Sequence, residues 1–271
     1  MFFQRALLAV LLASVSCGII GTYIVSKRIV FISDGITHAS FGGIGLGYFL
    51  GKDPVLTAAI AAVLSALGIR LLSTKGKVRE DSSIGIFFSM GMAAGIILIY
   101  LTPGYASDLS SYLFGNILTV TSSDMSYSVI ITGITLAAFI LFYREILYSA
   151  FDEEYLKIQK INISVINYFM LALIALVIVV NIRVAGIILI ISLLTIPQNT
   201  AMIFTKDFKK IMLLSILLGF VCSVTGLYVS FSLNIPTGPA IVFSEAVFFL
   251  CAKILHIILV FYGKKSYNYV S

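Results

Sequence analysis

The stretch SDGITHASFGGIGLGYFLG, residues 33–51, decides how the rest of the chain is read. Long apolar runs flank it, yet it carries Asp34 and His38, four residues apart and therefore on one face of a helix. A charged side chain at membrane depth costs about 2.5–3.5 kcal/mol on insertion scales, so it marks a transport route unless a partner explains it. Two readings of the pair stand. Either it is a hydrogen-bonded pair that orients the helix near the inner interface, or it offers donor atoms to a divalent cation crossing the membrane. The second is the one favoured. The same stretch repeats a small residue every fourth position, at Gly35, Ala39, Gly43, Gly47 and Gly51. Such a strip lets helix backbones approach closely, and it also leaves room for an ion path; the two uses are compatible.

Working outward, 60% of the 271 residues are hydrophobic and 11% are charged, and the mean hydropathy is +1.09. That composition excludes an ordinary soluble domain. Apolar runs of about 20 residues, enough to cross a core of about 30 Å as a helix, recur throughout. Spans are predicted at 6–26, 31–50, 54–73, 82–101, 125–147, 165–181, 184–203, 211–231 and 241–263. The expected fold is an all-α polytopic membrane protein with eight to nine transmembrane helices, residues 1–271 forming one domain. The count falls to eight if 31–50 is broken or re-entrant.

Positive charge orients the bundle, since cytoplasmic loops hold the excess of Lys and Arg. Alternate connections carry Lys27 and Arg28; Arg70, Lys75, Lys77 and Arg79; Arg144, Lys157 and Lys160; Lys206, Lys209 and Lys210; and Lys264 and Lys265. The other side holds only Arg5, Lys52 and Arg183, and Lys253 lies within a span. The amino terminus is expected outside and the carboxyl terminus inside. A net charge of +6 is then accounted for by orientation and by anionic lipid headgroups, with no call for nucleic acid. The first span exceeds the 7–15-residue apolar core of a signal peptide and no small-x-small site follows it, so it is expected to stay as a helix. Cys17, Cys222 and Cys251 show no C-x-x-C pairing and read as inert thiols.

A carboxylate with a neutral imidazole suits zinc, manganese or ferrous iron, and the lack of usable thiolates argues against cuprous copper. Two ligands do not close a site. Two copies of the chain facing one another would supply four, and weak coordination suits a conduit because the ion must leave.

Seven blocks in fixed order resemble the permease subunit of the bacterial zinc/manganese/iron family of ATP-binding-cassette (ABC) importers. They are QRALLAVLLASVSCGIIGTYIVSKR at 4–28, the stretch at 33–51, REDSSIGIFFS at 79–89, SYLFGNIL at 111–118, REILYSAFDEEYLKIQKI at 144–161, VAGIILIISLLTIP at 184–197 and IPTGPAIV at 235–242. The resemblance spans nearly the whole chain. It implies a homodimeric permease of the type II ABC importer fold in the bacterial cytoplasmic (inner) membrane. It also implies two partners, a cytoplasmic ATP-binding subunit and an extracytoplasmic metal-binding protein. Asp34 and His38 match the family's S-D-x-x-x-H-A signature, which the resemblance places on the metal route. The sequence has no G-x-x-x-x-G-K-[ST] phosphate loop, so the chain is expected to be a transport subunit, not an enzyme, without a cofactor of its own.

The internal loop 149–164 resembles the family's coupling element. Within it, Phe151, Asp152, Glu153 and Glu154 open a short amphipathic segment that Ser149 or Asp152 is placed to cap; the bland alternative is a solvated interfacial helix. The outer loop 102–124 has Tyr105, Tyr112 and Phe114 beside Asp108 and Asp124, which suits either a docking surface or an interfacial belt. In the last span, Glu245 reads as an extra metal ligand near the outer mouth or as partner of a polar group on a neighbouring helix. His256, near the inner end, reads as interfacial, and Lys253, Gln198 and Asn199 have no assigned role. Three rivals are a permease for iron siderophores or vitamin B12, a gradient-driven secondary transporter, and an intramembrane enzyme. Such chelate permeases are usually longer and lack the Asp-His pair; inverted repeats are not found; and neither H-E-x-x-H nor G-x-S-x-G occurs.

Overall fold

Helix α1 (Phe2–Lys27) and helix α2 (Val30–Leu50) are separated only by a tight turn at Arg28, whose φ of 62° lies in the left-handed region. The structure is a computed structural model that describes residues 2–103, 115 and 120–267. Further helices follow as α3 (Pro54–Thr74), α4 (Glu80–Leu101), α5 (Ser122–Leu141), α6 (Tyr143–Phe151), α7 (Glu153–Ile158) and α8 (Ile163–Ala185). After them come α9 (Ile187–Leu193), α10 (Ile196–Phe204), α11 (Phe208–Leu233) and α12 (Thr237–Tyr267). Eight stretches among the described residues are long and apolar enough to cross a membrane, with α9 and α10 together making one of them. Helix α2, 21 residues long, is not among the eight, because its serines, glycines, aspartate and histidine lower its hydropathy. It is continuous, neither broken nor re-entrant, and is enclosed between α3 and α4. The eight to nine passes expected are those found.

Two predicted spans are not single straight helices. The 125–147 span ends at Leu141, turns at Phe142, and resumes as α6. The 184–203 span is cut at Leu194 and Thr195. Pro197, in the first turn of α10, has no N–H to give and its ring crowds the carbonyl four residues back, that of Leu193. Gln198 repairs the break. Its side-chain amide donates to Leu193 O at 3.0 Å and to Cys17 O on α1 at 3.1 Å, so the interrupted pass is pinned to α1. The preceding span is also longer than predicted, reaching Ala185, where Gly186 at φ 84° separates α8 from α9.

The core runs along α1, α8 and α9, where Ile20, Tyr23, Ile24, Ile174, Ile178 and Ile190 are buried. Helices α4 and α12 are the least buried spans and show large apolar side chains to the outside, such as Tyr100 and Phe243, as lipid-facing helices do. Local chemistry fixes the ends. Asp53 accepts from Val55 N at 2.8 Å to cap α3, and Thr121 with Asp124 forms a capping box at the start of α5. At that same end Arg183 Nε lies 3.2 Å from the buried Asp124 carboxylate, tying α8 to α5. The opposite end gathers Lys27, Arg70, α6 and α7. Tyr105, Asp108, Tyr112, Phe114 and most of SYLFGNIL lie outside the described residues.

Candidate functional site

Asp34 and His38 project from α2 as the spacing requires, about 6 and 12 Å along the axis from Val30 at a rise of about 1.5 Å per residue. That places Asp34 in the second turn, towards the Lys27 end, and His38 just short of the middle of the 21-residue helix. His38 Nε2 is 3.5 Å from Asp34 Oδ1, with side-chain exposures of 18% and 37%. The separation is long for a hydrogen bond. It matches the edge of a ligand tetrahedron, since two donors about 2.1 Å from a metal at tetrahedral angles lie about 3.4 Å apart. The His38 ring packs on Phe88 of α4, centroids 4.3 Å apart, and its Nδ1 is buried without a hydrogen-bond partner. Among the described residues no three His, Cys, Asp or Glu side chains converge on a point that could hold a metal ion.

The pair stands on a stripe of α2 that is only partly covered. Phe31 is 76%, Leu46 39% and Phe49 44% exposed, and Asp34, His38 and Gly42 between them are partly open. The small-residue strip turns elsewhere. A Cβ on Gly43 would sit 2.6 Å from Thr57 O of α3, and one on Gly35 would sit 2.6 Å from the Ile84 side chain of α4. These residues therefore set the packing of α2 on its neighbours and do not line the Asp34 face. At the end of the helix Gly51 has φ 62° and closes α2 in a left-handed cap, a conformation in which a Cβ is strained.

Glu245 is not at an open mouth. It is 1% exposed on α12 and bonded to the Ser192 hydroxyl of α9, while its Oε1 has no partner. Lys253 is exposed and His256 half-buried on the same helix.

At the Lys27 end, Asp152 caps α7 by accepting from Tyr155 N at 3.1 Å. Ser149 does not cap; it is buried, with its hydroxyl donating to Ile146 O at 2.8 Å. Phe151 is 60% and Ile158 79% exposed, and Asp152 and Glu154 are exposed too, a mixed surface on a segment outside the spans. Glu153 behaves differently. Its Oε1 accepts from Lys27 Nζ at 3.0 Å and from Asn167 Nδ2 at 3.2 Å. Partial burial works against the charge, but the bonds from Lys27 and Asn167, with the charges of Lys27 and Arg70, outweigh it and hold the carboxyl below its ordinary value. Sequence reading missed Lys27 because a lysine at an inner helix end is already explained by orientation. The available signal was Asn167, a lone amide inside an apolar run.

Residues 1–256 match the pattern of the ABC 3 transport family. The chain belongs to that family. It is 35% identical over 251 residues to the manganese transport system membrane protein MntC of Listeria monocytogenes, covering 93% of this chain and 89% of that one. It is 36% identical over 249 residues to an uncharacterized membrane protein of Synechocystis, covering 92% and 89%. Among solved structures, PsaBC from Streptococcus pneumoniae in complex with Fab superposes with a TM-score of 0.84 at 31% identity, over 93% of this chain and 91% of that chain. The chain is thus a multi-pass membrane permease of an ABC transporter, with the fold of that group. A permease of this family works with an ATPase subunit and a substrate-binding protein. The likenesses do not favour a chelate permease or a gradient-driven transporter.

Proposed function

We propose that this permease imports a divalent transition metal ion, with manganese the first candidate, along a route formed where two copies bring their α2 stripes together. The observation that carries the reading is the Asp34–His38 pair, set at a metal-bridging distance on a helix face the chain covers only in part. Left against lipid, that face would put a carboxylate in hydrocarbon at a cost of several kcal/mol. Against a second copy it meets its own counterpart, and two Asp34 with two His38 make a four-donor site. The choice of manganese is supported by the name of a relative, a manganese transport system membrane protein, while oxygen with imidazole nitrogen suits manganese, ferrous iron and zinc alike. The site's openness suits passage rather than storage.

Work is supplied by a separate ATPase subunit meeting the exposed surface of Phe151, Asp152 and Glu154, and the ion is delivered by an extracytoplasmic binding protein. The test is a reconstituted one. Vesicles holding the permease and its ATPase, given metal-loaded binding protein outside and ATP inside, are expected to accumulate manganese. Accumulation only of an intact organic chelate, or uptake that persists without ATP, contradicts the proposal.

A further inference from the structure

On the cytoplasmic cap formed by α6 and α7, Glu153 points the opposite way from the residues around it. Lys27 Nζ, on the last turn of α1, donates to Glu153 Oε1 at 3.0 Å, to Asn167 Oδ1 of α8 at 2.6 Å and to Tyr23 OH at 3.2 Å. An ammonium has three donors, and all three are used. Asn167 Nδ2 closes the ring by donating to Glu153, and Ser149 Oγ of α6 lies within hydrogen-bond distance of Tyr23 OH, at 3.3 Å. One largely buried side chain, 17% exposed, thereby joins α1, α7 and α8, and through Tyr23 it reaches α6.

We propose that Lys27 is the positioning residue through which movement of the α6–α7 cap reaches the membrane helices, with Glu153 and Asn167 as its fixed partners. A helix of six residues does not hold its own shape, so α7 is placed by what it touches. Its apolar contacts are Leu156, 1% exposed, and the Tyr155 ring, 4.3 Å from that of Tyr148 on α6; the buried apolar contact has no direction and slides, and the ring pair ties α7 only to α6. Charge-assisted bonds fix both register and orientation, and here they end on Lys27. From Lys27 the path continues up α1. Gly21 lies against Gln198, the side chain that bridges Cys17 O on α1 to Leu193 O at the α9–α10 break. On the other flank a cavity of about 180 Å³, lined by Tyr23, Lys27, Ile29, Ile32, Arg70 and Asn167 among others, separates the network from the foot of α2. It gives that foot room to shift when α1 does.

The inference rests on the reading that the cap meets an ATPase subunit and that metal is moved. Its test uses the complete permease–ATPase complex in vesicles and reads metal ions moved per ATP hydrolysed. Lys27→Met keeps the stem and removes the charge; it is expected to lower that ratio at least fivefold with the complex still assembled. The reciprocal pair Lys27→Glu with Glu153→Lys is expected to regain half or more of the original ratio. If Lys27→Met does not assemble, Asn167→Leu, which cuts one arm of the network, takes its place under the same threshold. An unchanged ratio in the assembled variant overturns the inference, and so does a reciprocal pair that assembles but recovers nothing. Failure of the functional reading shows separately, as a wild-type complex that moves no manganese, zinc or ferrous iron. Hydrolysis then judges the network: a Lys27→Met complex hydrolysing ATP at the rate of the free ATPase, where wild type does not, supports it, and a rate equal to wild type overturns it.

Discussion

At the scale of single residues, the contrast between two carboxylates is instructive. Asp34 is partly open, faces a histidine at 3.5 Å and stands on a partly covered stripe, as the proposed metal route requires. Glu245 is buried on α12 against α9, with Ser192 as its one hydrogen-bond partner among the described residues, so it reads as part of the packing. Ser192→Ala would leave both Glu245 oxygens buried and unbonded, at a cost of about 1–3 kcal/mol. A lower unfolding temperature in detergent, with manganese uptake per folded molecule unchanged, is the expected result. The Asp34–His38 pair was legible from sequence because a four-residue spacing fixes a shared helix face. The seclusion of Glu245 was not, since it depends on which face of α12 meets α9, and an almost uniformly apolar helix carries no stripe to say so.

At the scale of elements, the spans were readable wherever about 20 apolar residues run unbroken, and misread where backbone chemistry interrupts them. Both interruptions turn on short-range effects: Pro197 with its carbonyl conflict at Leu193, and the turn at Phe142 that starts α6. The hydropathy is blind to each. The packing of α2 was only half legible, because the small-residue strip announces close approach without naming the neighbour. With a Cβ at Gly43 set to fall 2.6 Å from Thr57 O, Gly43→Val is expected to push α3 away and to lower stability by about 1–3 kcal/mol. Gly51→Ala forces an L residue into the left-handed cap with open space around it; its cost is about 1–2 kcal/mol. Thermal unfolding in the same detergent compares the two, and no loss at Gly43→Val would contradict the close α2–α3 contact.

At the scale of the whole molecule, the bundle has two chemically distinct ends. Basic residues predicted to lie inside gather with α6 and α7, and the network there depends on Glu153 staying ionised. Its carboxyl is held below the ordinary value, so the stabilisation is fully present above about pH 4.3, the unperturbed glutamate value. It is lost only as pH falls through the lower, folded value. Protease cleavage within residues 159–162 is therefore expected to stay slow from pH 7 to pH 5 and to rise only in stronger acid; release already at pH 6 would argue against the Lys27–Glu153 contact. The partly covered α2 stripe belongs to this scale too. A cysteine at Leu46, with the native Cys17, Cys222 and Cys251 replaced, is expected to cross-link two copies in the membrane.

The central claim is that the metal passes between Asp34 and His38, and ATP-driven manganese uptake by vesicles carrying wild type, Asp34→Ala or His38→Ala tests it most directly. Each substitution is expected to cut uptake at least tenfold while the ATPase subunit stays bound. Wild-type uptake in both variants would contradict it.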